Sequence, residues 1–170
     1  VAIDMAKFLM DGNAAPIILD PACGEGELLI QTIRQYRNKG LEVNAHQILG
    51  IDIDPNMVEK AKIRIAKELE CNVGGINIIE GDFLDFTSES KIFDIPLSSV
   101  NQVIANPPYG KQREILFFDK LNQVLQIGAE LVLLMPLSFN DRITLYSVKP
   151  LLGRPLGVTT GHSIVQHEVG

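Results

Sequence analysis

Four short apolar runs, each closing on an aspartate or asparagine, limit what this chain can fold into. Pro16-Ile17-Ile18-Leu19 ends at Asp20, and Gln47 to Ile51 ends at Asp52. Ile76 to Glu80 leads into Gly81-Asp82, and Val100 to Ala105 runs into Asn106. Short apolar runs bounded by turn residues read as strands buried on both faces, as in a parallel sheet. Stretches of helical period lie between them. Glu25 to Arg37 is one, stopped at Asn38-Lys39-Gly40. Pro55 to Leu69 is another, with Met57, Ala61, Ile65 and Leu69 on one stripe. Pro55 suits a first helical turn, where its missing N–H has no partner to lose. Ala2 to Met10 and Glu114 to Ile127 also read as helices, and Glu130 to Met135 as a fifth, very apolar strand.

Strands alternating with helices imply right-handed crossovers and an α/β fold: a doubly wound, mostly parallel sheet with helices on both faces. Ligands of such sheets bind at the carboxyl ends of the strands, near the point where strand order reverses. Asp20, Asp52, Asp82 and Asn106 all fall at those ends, so one rim of the sheet is the expected site. Residues 1–170 read as one domain with an incomplete C-terminal part, holding a helix at Arg142 to Leu152 and a weak strand near Val158. The polar stretch Asp85 to Lys91 reads as a surface loop.

Composition excludes several classes. The 46% hydrophobic and 21% charged content is that of a globular protein, and no apolar run approaches the ~20 residues that span a bilayer. Asp4 and Lys7 interrupt the opening apolar pattern, which therefore does not read as a signal peptide. The chain opens on Val1, which reads as a processed chain or a piece of a longer one. Two cysteines, Cys23 and Cys71, make neither a disulfide framework nor a metal cluster, and fit a reducing, cytoplasmic setting. The formal net charge is −6, whereas a chain that grips nucleic acid alone usually carries a basic face. A nucleic-acid substrate would have to be held by a local patch or by a segment outside this sequence.

The rim residues sit in strings with chemical content. In Leu19-Asp20-Pro21-Ala22-Cys23-Gly24-Glu25-Gly26-Glu27-Leu28-Leu29, a strand, a glycine turn and a helix let the backbone approach a ligand closely. A GxG pair after a strand is equally a tight turn, and the dinucleotide pattern lacks its third glycine because Leu29 stands there. In Gly50-Ile51-Asp52-Ile53-Asp54-Pro55, an acid at a strand end can accept hydrogen bonds from both hydroxyls of a ribose. Asp54, directly before Pro55, is the better helix cap. In Gly81-Asp82-Phe83-Leu84 the carboxylate can accept from an exocyclic amine and Phe83 can lie against a flat ring. Gly-Asp is also a common turn, and Phe a common core residue.

Asn106-Pro107-Pro108-Tyr109 decides the class. Two prolines are poor choices for continuing a ladder and fix a stiff loop instead. An amine nucleophile needs two acceptors for its N–H groups, so that its lone pair faces the electrophile. The Asn106 side-chain oxygen and the Pro107 carbonyl can supply both. Tyr109 offers a flat face for a base taken out of its stack. A proline-rich turn with an exposed tyrosine would look the same in isolation. His46, His162 and His167 lie outside these strings and read as structural or exposed. Lys111 and Arg113, just past the loop, read as phosphate contacts or as plain exposed charge.

Taken in order, the DPACGEGELL string, Asp52, Gly81-Asp82-Phe83 and Asn106-Pro107-Pro108-Tyr109 resemble the N6-adenine DNA methyltransferases of restriction–modification systems. The group in question is the one whose cofactor motif precedes the catalytic motif, and Val1 to Ala6 is similar to its opening helix. The resemblance spans Val1 to about Leu137. It implies a Rossmann-like class I methyltransferase fold, S-adenosyl-L-methionine as cofactor and no metal. The implied cofactor-binding residues are Asp20, Pro21, Ala22, Cys23, Gly24, Gly26, Asp52, Ile53, Asp82, Phe83 and Asn106. The first string takes the methionine part, Asp52 the ribose, and Asp82 with Phe83 the adenine.

The implied catalytic residues are Asn106, Pro107, Pro108 and Tyr109. A flipped adenine stacks on Tyr109, its N6 is polarised by Asn106 and Pro107, and it attacks the methyl in line without a general base. In the family a Thr-Pro pair precedes the opening helix and a separate DNA-reading domain follows the catalytic one. The chain is therefore expected to be a catalytic-domain fragment that meets DNA through another domain or subunit. Other readings remain open: an amino methyltransferase acting on RNA adenine or on protein glutamine, a non-catalytic cofactor-binding subunit, or a plain NAD-binding fold.

Overall fold

Each apolar run that ends on an acid or asparagine is a strand of one sheet in the computed structural model, which describes residues 2–7, 16–110, 113–136, 155–159 and 162–168. In chain order the strands are β1 (Ile18–Asp20), β2 (Ile48–Asp52), β3 (Asn77–Glu80), β4 (Lys91–Ile92), β5 (Ile95–Pro96), β6 (Gln102–Ala105), β7 (Glu130–Pro136), β8 (Pro155–Thr159) and β9 (His162–Glu168). The helices are α1 (Ala2–Ala6), α2 (Glu27–Asn38), α3 (Pro55–Leu69) and α4 (Arg113–Val124). The main sheet runs β3-β2-β1-β6-β7-β9-β8. It is parallel from β3 to β7, and β9 and β8 add to it antiparallel. This is the doubly wound, mostly parallel α/β sheet expected from the sequence. Strand order reverses between β1 and β6, the place where such sheets bind ligands. Asp20 closes β1 and Asn106 follows β6, so the two flank that point.

Side chains that alternate along each strand build a core on either face. Ile18, Ile48, Ile104 and Val132 pack with Met5 of α1, Ile33 and Tyr36 of α2, and Ile65 of α3. Leu19, Leu49, Val103 and Leu131 pack on the other face with Phe117 and Leu121 of α4, and with Ile92 and Leu97. β1 is short, yet its entry is firmly set. The Asn101 side chain accepts the Ile17 N–H at 2.9 Å, and the Ile17 carbonyl accepts from both Asn101 and Gln102. Inside the first core, the Tyr36 hydroxyl donates to Gln102 Oε1 at 2.6 Å, tying α2 to the strand that leads into Asn106.

The structure adds two features. Between β3 and β6 lies a small hairpin, β4 with β5, rather than only a loop, and it turns through Phe93 at φ 53°. The weak strand near Val158 is β8, and it pairs with β9, which the sequence did not suggest. The helix expected at Arg142 to Leu152 lies outside the described residues, as does the end of the opening helix beyond Lys7. Among the described residues, no helix is long and apolar enough to cross a membrane.

Candidate active site

The loop after β1 is held by its own backbone. The Cys23 N–H donates to the Ile51 carbonyl at 2.9 Å, and the Gly26 N–H closes back on the Cys23 carbonyl at 2.8 Å. Gly24 and Gly26 both take positive φ, 52° and 79°. Their roles differ. A Cβ at Gly24 would point into open space, leaving room for a ligand against the backbone, whereas one at Gly26 would meet Ile65 Cδ1 at 3.0 Å. Gly26 therefore serves the packing of α2 on α3. Cys23 is 5% exposed, and a Cβ on Gly50 would come within 3.1 Å of its sulfur. Burial and the charges of Asp20 and Asp52 push its thiol far up, so it is a packing group.

Asp20 is 1% exposed. Its Oδ1 accepts the Ala22 N–H at 3.1 Å, while its Oδ2 is buried with no partner. Burial raises its pKa to about 7, opposed by the Ala22 hydrogen bond and helped by the Asp52 charge. A buried carboxylate oxygen without a donor is costly unless a ligand supplies one. An ammonium group would do so.

Asp52 accepts from two backbone donors, Gly24 N–H at 2.7 Å on Oδ2 and Asp54 N–H at 3.0 Å on Oδ1. A carboxylate has about four acceptor positions, so two remain for a pair of hydroxyls. Asp54 caps α3 by accepting the Asn56 N–H at 2.8 Å. Asp82 accepts the Leu84 N–H on Oδ1 at 3.0 Å and pairs with Arg113 on Oδ2 at 3.2 Å. Arg113 thus turns to the rim acids, where the sequence allowed a phosphate contact or plain exposed charge. Phe83 is 1% exposed and packs against Phe86 and Phe117, so its ring belongs first to the core. Ile53, 63% exposed beside Asp52, is the apolar face at the cleft that a flat ring can cover.

After β6 the chain turns outward. Pro107 is buried, while Asn106, Pro108 and Tyr109 are exposed. The Tyr109 hydroxyl lies 2.5 Å from Asn106 Oδ1 and 3.2 Å from the Leu134 carbonyl, and donates to them. Burial, with the Glu114 charge, pushes its pKa up to about 12, so it remains a donor at neutral pH. Nothing among the described residues donates to the Pro107 carbonyl.

One cleft of about 300 Å³ gathers most of these groups. Pro21, Ala22, Asp52, Ile53, Asp82, Phe83, Asn106, Pro108 and Arg113 all line it. Asp20 at the end of β1 and Cys23 in the loop after it are buried, as is Pro107 after β6. Tyr109 is joined to the cleft through Asn106. Arg113 and Ile53 are the residues whose place here matters most beyond the acids, and only Ile53 was expected at the cofactor. His46 is exposed on a 3₁₀ turn, and His162 and His167 are in β9. Lys111 lies outside the described residues.

Comparison with known proteins gives the same class. Residues 13–136 match the family model described as a methyltransferase domain. Over 115 residues the chain is 31% identical to the type II methyltransferase M.BanIII of Aneurinibacillus aneurinilyticus, covering 64% of this chain and 19% of that protein. The fold matches the type I restriction–modification methyltransferase subunit from Streptococcus thermophilus with a TM-score of 0.72 at 13% identity, over all of this chain and 44% of that one. It also matches an RNA methyltransferase from Salinibacter ruber, solved with S-adenosyl-L-homocysteine, with a TM-score of 0.54 at 21% identity. That match covers 98% of this chain and 89% of that one. The fold is the Rossmann-like class I methyltransferase fold. The chain belongs to the methyltransferase-domain family, and spans about a fifth of the length of the type II relative.

Proposed function

We propose that this domain binds S-adenosyl-L-methionine in the rim cleft and methylates the exocyclic N6 amine of adenine in DNA. The observation that carries this reading is the meeting, in one cleft, of the acids after β2 and β3 with Asn106 after β6. The residues present fit the cofactor. Asp20 Oδ2 is a buried acceptor awaiting a cation, Gly24 leaves open space at the backbone, and Asp52 has acceptor positions to spare. Asp82 and the exposed face of Ile53 suit the amine and ring of an adenine. Bound there, S-adenosylmethionine supplies a methyl group activated by its sulfonium.

The chain's own residues do the rest by positioning. Asn106 Oδ1 and the Pro107 carbonyl accept the two N–H groups of a planar amine and turn its lone pair towards the cleft. The Asn106 oxygen already accepts from Tyr109, so an entering amine has to share or displace that hydroxyl. Tyr109, 40% exposed, gives a flipped base a ring to lie on. DNA is reached through a further domain or subunit, consistent with the net charge of −6 and the short share of the relative that is covered. Arg34, Arg37 and Arg64 are paired with Glu68 and Glu27 on the α2–α3 face. They are poorly placed to supply a phosphate grip.

An RNA amine is the second reading, supported by the likeness to the Salinibacter ruber enzyme. The test is parallel transfer of labelled methyl to DNA, RNA and protein, with and without lysate. Label in DNA that digests to N6-methyladenine supports the proposal. Label confined to RNA or protein overturns it.

A further inference from the structure

The first turn of α4 touches both halves of the site. Gly110 follows Tyr109 at φ 92°, and both of its polar groups are gripped by consecutive residues. The Arg113 N–H donates to the Gly110 carbonyl at 3.0 Å. The Glu114 carboxylate, on a residue 1% exposed, accepts the Gly110 N–H at 3.2 Å. The Arg113 side chain then reaches Asp82 at 3.2 Å, while the other Asp82 oxygen is fixed by Leu84. Arg113 therefore holds the catalytic loop with its backbone and the adenine-side acid with its guanidinium. The guanidinium also has a spare donor, because its Nε is buried without a partner.

Resting on the reading that this cleft holds S-adenosylmethionine, we propose that Arg113 is a positioning residue that ties occupancy of the Asp82 end of the cleft to the pose of Asn106-Pro107-Pro108-Tyr109. An amine arriving at Asp82 takes up carboxylate acceptor positions that now face the guanidinium, and Arg113 adjusts its pairing. Its backbone N–H is on the same residue, at the start of a helix packed into the core through Phe117 and Leu121. The adjustment is felt at the Gly110 carbonyl, and the Glu114 clamp carries it to the loop. Coupling of this kind is reciprocal, so loosening the Arg113 link also weakens binding at the adenine end.

The test is an NMR titration of the ¹⁵N-labelled chain with S-adenosyl-L-homocysteine, following the Gly110 amide, with affinity measured by calorimetry. In the unaltered chain the Gly110 signal moves on saturation. In Arg113→Gln the movement at saturation falls to less than half, affinity drops roughly fivefold, and Arg113→Lys recovers part of both. A full Gly110 response in saturated Arg113→Gln overturns the proposal. If Arg113→Gln does not give a folded spectrum, Arg113→Lys carries the comparison, and an unaltered response there overturns it too. A chain that binds the ligand with Gly110 unmoved sinks the coupling and leaves the cofactor reading standing. A chain that binds no ligand sinks both.

Discussion

From Asp20 to Asp82 the rim is held mostly by main-chain donors, with the Arg113 side chain on Asp82 as the exception. Cys23 is bound to Ile51, Gly81 to Asp52, and the Asp52 side chain accepts from Gly24 and Asp54. From Asn106 to Gly110 it is held mainly by side chains, with Tyr109 on Asn106 and Glu114 on Gly110, beside one main-chain bond from Arg113 to the Gly110 carbonyl. Most rim residues of the first half are buried or half-buried, Ile53 excepted, and most of the second half are exposed. Bonds between buried main-chain groups change little when a ligand arrives, which suits a preformed pocket. Side-chain bonds to exposed groups can be exchanged, which suits a loop that must admit a base and release it. On the function proposed above, the cofactor half is largely preformed, and the acceptor half is complete once a substrate takes over the Asn106 oxygen.

This contrast can be broken by substitution. Asn106→Ala is expected to lower methyl transfer by about 10²–10³, the scale of losing one preorganised polar contact, while S-adenosylhomocysteine affinity stays within about threefold. A parallel collapse in calorimetric affinity would mean that the two halves are not separable. Asp52→Ala should weaken the same ligand by about 10- to 100-fold through lost hydrogen bonds to a charged group. Unchanged affinity removes the ribose role.

Asp20 gives a test by pH. Its folded pKa lies near 7, above the unfolded value of about 3.9, so the folded chain holds this proton more tightly. The contribution of Asp20 to the stability of the free protein therefore falls as pH rises from about 4 to about 7. A ligand ammonium prefers the ionised carboxylate, so affinity rises by up to about tenfold per unit as pH increases towards 7. Asp20→Asn should flatten that slope, and a slope that survives assigns it to another group. Smallest of all, Tyr36→Phe should cost about 1 kcal/mol in denaturant unfolding, because it removes the tie between α2 and β6, with ligand affinity unchanged. A change in affinity would show that the scaffold and cofactor loop are more tightly linked than their contacts imply.

The placement of the acids along one rim was legible in the sequence, because each follows a run of buried residues and strand ends are where such sheets gather their polar groups. Asp54 as the cap of α3 was legible for the same local reason, an acid before a proline. Phe83 was harder, since a phenylalanine beside an acid reads equally as ring platform or core, and here it packs on Phe86 and Phe117 while lining the cleft. The β4–β5 hairpin has strands of two residues, too short to show alternation. β9 reads as polar because His162, Gln166 and His167 interrupt it, and its pairing with β7 and β8 makes it a strand. Arg113 with Asp82 spans 31 positions and leaves no periodic trace.

The packing of Cys23 against Gly50 has a consequence for the protein's tolerance of oxidants and alkylating reagents. Thiol chemistry proceeds through the thiolate, and at Cys23 burial and two neighbouring carboxylates all oppose that form. Cys71, just past α3, is exposed. A reagent that discriminates by access is drawn to Cys71 and spares the loop after β1. Oxidative damage would then mark the molecule at its periphery before it reached the rim.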